Sequence, residues 1–421
     1  MAEDTTTDDT ATENAATDDA TRDAEFTVTP DTVEGDVDYR ELLERFGADE
    51  LTDEQVARFP DPHPMVRRKV FYAGRDVDRF LDAVERGSAG NSTQVDEAAE
   101  SGETVSLVTG VGPSGPMHVG HAMHFYHAKH LQERTGAHVY VPVSDDEKYF
   151  GKDLSLAEVG EYARENLRDL LAVGFDPERT RIVVDTADAD VIYPLAAQFA
   201  KHVTQSTMEA TYGRPDNVGA SFYPAVQIAH LLLPQLVHGR HASLVPIAAD
   251  QDPHVRLARD VAGKERFDVD KPAALLSKFL PTLDGPGKMS SSDSAPAIYL
   301  TDDRETVEEK VQTHAYSGGR SSLDAHREHG GAPEVDVAYQ LLAFFFEEDD
   351  ATLDRLAREY RAGDLLSGEL KAYAAEKIGD LLEGHRERRE RIDDLEAEFE
   401  KYRLTDDERE RALPEGVGRF D

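Results

Sequence analysis

Apolar residues are nearly absent from the first two dozen positions, MAEDTTTDDTATENAATDDATRDA, so nothing there can offset the entropy of ordering. This predicts a disordered acidic tail over residues 1–25. Residues 26–100 read as an N-terminal extension and linker. They hold a capped helix in LTDEQVARF, an amphipathic one in VDRFLDAVERG, and the polar run SAGNSTQVDEAAESGE. The pattern then changes. TVSLVTG is β-branched and continuous, breaks into the turn GVGPSGP, and gives way to a helix from about Met117. HVYVPVS, a second strand, ends in Asp145, Asp146 and Glu147, and RIVVD and SLVPIAAD follow between amphipathic helices. Strands alternating with helices predict an α/β fold, a parallel sheet covered on both faces, over residues 101–300. After about Thr301 only helical periodicity remains, in VAYQLLAFFFEED, DATLDRLAREYRAG and the long ELKAYAAEKIGDLLEGHRERRERIDDLEAEFEKYR. This predicts a helical C-terminal domain over residues 301–421, and no internal repeat is present.

Composition narrows the class. No apolar run approaches the roughly 18 residues needed to span a bilayer, and the acidic start is unlike a signal peptide. Cysteine is absent, which excludes disulfides and thiolate–metal sites and favours the cytoplasm. The 85 acidic residues against 46 basic ones give a formal charge of -39, spread along the chain rather than gathered in the tail. Such self-repulsion disfavours a compact fold until salt shortens the Debye length, to about 3 Å at 1 M. A salt-adapted protein is expected.

Candidate chemistry begins at HVGHAMHFYHAKH, where five histidines stand three apart: His118, His121, His124, His127 and His130. On a helix this spacing winds around about two thirds of the circumference, so the five cannot face one ion. There is no HExxH either. His118 and His121 lie at the helix start beside a glycine turn, where backbone N–H groups and the helix dipole favour a phosphate. His124, His127 and His130 read as packing or surface residues. The turn from Gly110 to Gly115 fits G-x-G-x-x-G and admits a dinucleotide, although prolines at 113 and 116 delay the helix. No Lys-Ser or Lys-Thr follows the last glycine, which excludes a Walker loop. Far downstream, GPGKMSSSDS presents Lys288 and three serines, suited either to a polyphosphate or to a polar linker.

HVGH and KMSSS in this order resemble the two signatures of class I aminoacyl-tRNA synthetases. GPSGPMHVGH, SDDEKYFGKDL, SFYPAVQ, AADQDPHVRLARD, KMSSSD and HAYSGGRSSLDAHREHGG are similar to the tryptophan–tRNA ligases of the archaeal and eukaryotic type, from about residue 26 to the end. The resemblance implies a Rossmann-type catalytic domain, a helical anticodon-binding domain, and ATP-dependent ligation of tryptophan to tRNA(Trp) through a tryptophanyl-adenylate. It also implies Mg²⁺ with ATP, no metal held by the protein alone, and a cytoplasmic homodimer. By resemblance the catalytic residues are His118, His121, Lys288, Ser290 and Ser292. Thr109, Gly110, Pro113, Gly120 and Met289 would bind ATP, and Glu147, Gln227 and Gln251 the substrate ammonium group. The chain departs from the pattern at Val108 and Pro142, where relatives carry a tyrosine and a glutamine that read the indole N–H, and at Val111, where they carry an arginine near ATP. Indole should therefore be read loosely, unless Tyr140, two residues from Pro142 on the same strand face, supplies a hydroxyl. A paralogue with altered amino acid specificity or a non-catalytic tRNA-binding role is the alternative. Arg386, Arg388, Arg389 and Arg391, with Arg67, Arg68 and Lys69, are the densest cationic clusters for tRNA.

The charge yields a direct test. Melting temperature should climb as KCl is raised from about 0.1 to 3 M, because added salt screens the acidic excess; differential scanning calorimetry across that series checks it.

Overall fold

A computed structural model describes residues 27–28, 33–34, 37–89, 103–285, 289, 297–415 and 417. The acidic tail, Lys288, Ser290 and Ser292 lie outside the described residues. The centre is a seven-stranded sheet. In chain order its strands are β1 (Asp49–Glu50), β2 (Phe71–Arg75), β3 (Val105–Val108), β4 (His138–Val143), β5 (Thr180–Val184), β6 (Ala242–Ala248) and β7 (Ala273–Ser277). Their spatial order is β1, β2, β7, β6, β3, β4, β5. The last five are mutually parallel, and β1 and β2 add antiparallel strands at one edge. The segment up to residue 100, expected as an extension with its own structure, thus completes the sheet. FYAGR is apolar enough to be buried throughout its first four residues and covers what would otherwise be the open edge of β7.

Strand periodicity divides the core in two. Leu107, Val139, Val141, Ile182, Leu244 and Leu275 join one apolar cluster. Their neighbours Val108, Tyr140, Val183, Val245 and Leu276 point the other way into a second. Burial on both faces explains why these strands read as continuous rather than alternating runs. On the first face lies α1 (Val119–Thr135), packing Ala122, Met123, Phe125 and Leu131. After β4 come α2 (Asp145–Gly151) and α3 (Leu156–Val173), the latter opened by a capping box between Ser155 and Glu158. The second face is covered by α5 (Val218–His238) and α6 (Asp252–Ala262), with the helix Ala189–Ala200 packed beside them, and α4 (Gln205–Tyr212) leads into α5.

From Arg304 on the described chain is helical, as its periodicity predicts. The long C-terminal run is nevertheless broken: α7 (Ser367–Glu390) stops, and a new helix starts at Leu395, because Asp394 accepts the Ala397 N–H at 3.1 Å as a fresh N-cap. Among the described residues no helix is long and apolar enough to cross a membrane.

The three later histidines of α1 do pack. His124 Nε2 meets Ser277 Oγ at 2.9 Å and His130 Nε2 meets the Asp61 carbonyl at 2.7 Å. His127 is fully buried, with its ring against Phe71 and His63 and neither nitrogen hydrogen-bonded. Burial drives its pKa well below 6.5, helped by the neighbouring imidazoles, and pushes His63 down to about 3. A base whose folded pKa is depressed contributes stability above its unfolded pKa and loses it as pH falls toward the folded value. His127→Leu should therefore raise stability at neutral pH by about 1 kcal/mol, since it removes unsatisfied buried nitrogens. It should also lessen the loss of stability below pH 6.5, as urea unfolding along a pH series would show.

Candidate active site

Strand order positions the site. The chain runs from β3 outward through β4 to β5, then returns to place β6 on the other side of β3, so the carboxyl ends of β3 and β6 diverge. Parallel sheets bind ligands in the crevice at such a reversal. A cavity of about 340 Å³ opens there. Val108, Thr109 and Gly110 of β3 and its turn line it, with Pro142 of β4 and Ser144 just after it, Val245 and Ile247 of β6, and the first turn of α6. The segment from Met208 to Asn217, joining α4 to α5, forms the remaining wall. At Gly110 a Cβ would stand 2.5 Å from the Pro142 carbonyl, so only glycine lets the turn pass.

Beside this cavity lies the head of α1. His118 is its N-cap: Nδ1 accepts the Gly120 N–H at 3.1 Å, and His121 Nδ1 accepts the His118 N–H at 3.4 Å. Two imidazoles thus form a reciprocal capping box, with rings stacked at 3.8 Å between centroids. The helix starts at Val119 rather than near Met117 because of this cap. With each Nδ1 accepting, the proton of a neutral ring sits on Nε2 in both histidines. A Cβ at Gly120 would meet the His118 ring at 3.0 Å, so the glycine admits the capping ring.

The same head is clasped by the chain that follows the serine loop. Val119 N donates to Ile298 O at 2.9 Å, and Leu300 N to Met117 O at 3.0 Å. On the near side Met289 is buried, with its N–H on Leu280 O at 2.9 Å. Leu280 in turn lies against Gly120, two residues from His118. Pro113 is buried in the turn, whose Gly115 carbonyl accepts from the buried Asn166 at 2.9 Å.

Glu147, Gln227 and Gln251 all line the cavity. The Glu147 carboxylate pairs with Lys148 Nζ at 2.7 Å. Gln227 Nε2 donates to the Tyr223 hydroxyl, and Gln251 Nε2 to Asp250 at 3.0 Å. Gln251 is held by its neighbour: Asp252, fully buried, receives a bidentate pair of 2.7 Å bonds from Arg75 of β2. Lys148, Tyr212, Tyr223 and His254 also line the cavity and were missed in the sequence. His254 stands one helical turn after Gln251, a spacing that could have revealed it.

The departures from the pattern take definite places. Val108, Pro142 and Val111 all line the cavity as apolar wall, and Val111 extends the sheet by bridging to Val143. Tyr140 does not compensate. Its buried hydroxyl turns away to His238 Nε2 at 3.0 Å, on the face covered by α5. The arginines expected to form cationic clusters are also largely engaged. Arg388 donates to Ala172 O and Tyr126, Arg389 pairs with Asp169 and Glu165, and Arg67 and Arg68 share Asp350. Lys69 pairs with Asp53, and Arg391 is exposed beside Glu387. Such partners are what an acid-rich chain offers every cation.

Behind the cavity, oxygens of Asp145, Asp146 and Asp185 lie within 4.8 Å of one another. Asp145 is taken up by Thr186, whose N–H and hydroxyl both donate to it. His230 Nε2 meets Asp185 at 2.5 Å, and Tyr193 donates to Asp146 at 2.9 Å. Burial raises Asp185 strongly, and burial together with the Asp185 charge pushes Asp146 up to about 8. Asp146 and Asp185 are thereby held toward their protonated forms, and the Asp145 oxygens are occupied by Thr186, so the cluster is a poor match for Mg²⁺, which wants ionised oxygens and retained waters.

Comparison with known proteins is consistent with this geometry. The family model described as tRNA synthetases class I (W and Y) matches residues 100–383. Tryptophan--tRNA ligase 2 of Halobacterium salinarum is 62% identical over 91% of the chain and 96% of its own length. Tryptophan--tRNA ligase of Saccharolobus solfataricus is 41% identical over 88% and 94%. Among solved structures, the tryptophanyl-tRNA synthetase of Giardia lamblia superposes with a TM-score of 0.77 at 33% identity, covering 88% of this chain and 96% of that one. That of Aeropyrum pernix gives 0.76 at 30%, covering 87% and 96%.

The acid cluster makes a pH prediction. A carboxyl group with a raised folded pKa contributes stability in full below its unfolded value, near 3.8, and that contribution is gone once pH passes the folded value, here about 8. One proton sets the slope at no more than ~1.4 kcal/mol per pH unit. Asp146→Asn cannot ionise, so its unfolding midpoint should fall less than that of the wild type between pH 6 and 9 at fixed salt.

Proposed function

The chain belongs to the class I tRNA synthetases of the tryptophan and tyrosine group, and on that premise we propose that it joins tryptophan to tRNA(Trp) through a tryptophanyl-adenylate. The observation that carries this reading is the switch-point cavity holding Glu147, Gln227 and Gln251 beside a helix head capped by two imidazoles. In the first step a carboxylate oxygen of tryptophan bonds to the α-phosphorus of ATP, and the bond from that phosphorus to the β-phosphate oxygen breaks, releasing pyrophosphate. In the second, a hydroxyl of the terminal tRNA ribose attacks the acyl carbon, and AMP leaves.

Phosphoryl transfer asks mainly for positioning and for donors aimed at developing charge. Glu147 provides an anion for the substrate ammonium group, and Gln227 and Gln251 provide amide oxygens that accept from it. His118 and His121 aim Nε2–H donors from the head of α1, where the helix dipole also favours an anion. Thr109 and Gly110 face the nucleotide from the turn after β3, with Gly120, Met289 and Pro113 shaping that side. Lys288, Ser290 and Ser292 would contact the leaving pyrophosphate, and Ile298 and Leu300, downstream of them, bond Val119 and Met117 on either side of His118. Mg²⁺ would arrive on the phosphate oxygens and neutralise charge there, since Asp145, Asp146 and Asp185 are already bonded to Thr186, Tyr193 and His230. For tRNA, Arg386 and the exposed Arg391 remain the candidates on α7, and the family reading extends to a homodimer working in the cytoplasm.

ATP–pyrophosphate exchange tests the reading, with each amino acid supplied in turn at high salt. Tryptophan should support exchange best, and a clear preference for another amino acid would refute the assignment. His118→Ala or His121→Ala should slow exchange about a hundredfold, the scale of one lost transition-state donor, with tryptophan affinity little changed. Because the chain contains no tryptophan, the ligand's own fluorescence reports that affinity without background.

A further inference from the structure

We propose that His254 reads the indole N–H of tryptophan, accepting it on the ring nitrogen that Tyr212 leaves unbound. The inference rests on tryptophan being the substrate, and it concerns how the cavity recognises the side chain. Indole offers one hydrogen-bond donor and no acceptor. Burying that donor without a partner costs about 1–3 kcal/mol, so a selective cavity needs an acceptor on its wall. Most of the wall cannot supply one. Val108, Pro142, Val245, Ile247 and Val255 are apolar. Glu147 holds Lys148, Gln227 is tied to Tyr223 and Gln251 to Asp250, and all three serve the ammonium end. Asn217 is spent capping α5 and bonding the Phe150 carbonyl. Arg214 and Asp216 are exposed on the outer segment.

His254 is different. It lines the cavity one turn after Gln251 on the same helix, so the element that contacts the amino acid end also carries the imidazole. Its Nδ1 meets the Tyr212 hydroxyl at 3.0 Å, and the Tyr223 ring stands edge-on to it, 6.4 Å between centroids. With Nδ1–H given to the Tyr212 oxygen, Nε2 holds an in-plane lone pair. Burial lowers the ring's pKa to about 4, so it is uncharged at neutral pH and able to accept. The bond to Tyr212 fixes the ring from the α4 side, as a specificity group requires. The arginine pair on Asp252 fixes the backbone two residues before it.

The test compares tryptophan with its benzothiophene analogue, which has sulfur in place of N–H, by kcat/KM in ATP–pyrophosphate exchange. A buried site built for a hydrogen bond rejects an analogue lacking it by about ten-thousandfold, whereas an apolar pocket discriminates only about 10- to 200-fold. The wild type should show the large ratio. His254→Phe should bring it below about a hundredfold, mainly by lowering kcat/KM for tryptophan while the analogue changes little, and His254→Gln, which retains an acceptor, should recover part of it. A purely structural role for His254 would lower both substrates alike and leave the ratio standing, which overturns the proposal. So does a wild type that accepts both substrates with similar efficiency, a result that needs no variant to fold. Exchange with tryptophan but without discrimination defeats this inference alone; no exchange with tryptophan defeats the functional reading beneath it as well.

Discussion

Everything at the site depends on where the sheet reverses. Because β3 has parallel partners on both sides, β4 and β6, the loops after it diverge and leave a crevice no side chain fills. Three further attachments turn the crevice into a site. Val119 and Leu300 exchange backbone bonds with Ile298 and Met117, so the head of α1 and the segment after the serine loop are one unit. Met289 anchors the loop's other flank to Leu280. Arg75 reaches from the edge strand β2 to Asp252 and sets the first turn of α6, which carries Gln251 and His254. The N-terminal segment thus takes part in shaping the ligand pocket from the far edge of the sheet.

Sequence made four of the five parallel strands legible because β-branched runs such as VSLV and TRIVV are buried on both faces and bounded by turn residues, whereas AALLS, built of alanine and leucine, carries no such signal. The role of FYAGR as an edge strand of that sheet was not legible, since nothing local says which strand it will pair. For the site, His118, His121, Glu147, Gln227 and Gln251 could be named from motif position. The residues proposed to read the side chain could not. His254 and Tyr212 are 42 residues apart and meet only through tertiary packing. Tyr140 shares a strand face with Pro142, yet its hydroxyl is claimed by His238 at the end of α5. Alternation along a strand gives the side of the sheet, not the depth.

The cations of this acidic chain are largely structural. Arg67 and Arg68 join the N-terminal segment to Asp350 and to carbonyls near Leu342 and Glu348, while Arg388 and Arg389 fasten α7 to α3. Arg181 reaches Glu408 and Arg409 reaches Asp188, which fastens the last helices to the sheet. With so many guanidinium groups turned inward, a tRNA would meet a surface dominated by carboxylates. In concentrated salt the phosphate term in nucleic-acid affinity is already small, so shape and base contacts must carry more of the recognition.

The pairing of Glu147 with Lys148 has a consequence for how the pocket tolerates brine. In the role proposed for Glu147, an arriving amino acid would bring an ammonium to a carboxylate that already holds one. Binding is then a swap of partners, with the number of close ion pairs at Glu147 conserved, rather than the creation of a new pair from two solvated charges. Dissolved ions weaken both sides of such a swap about equally. The affinity of that subsite is thereby insulated from the ionic strength on which the acidic surface depends.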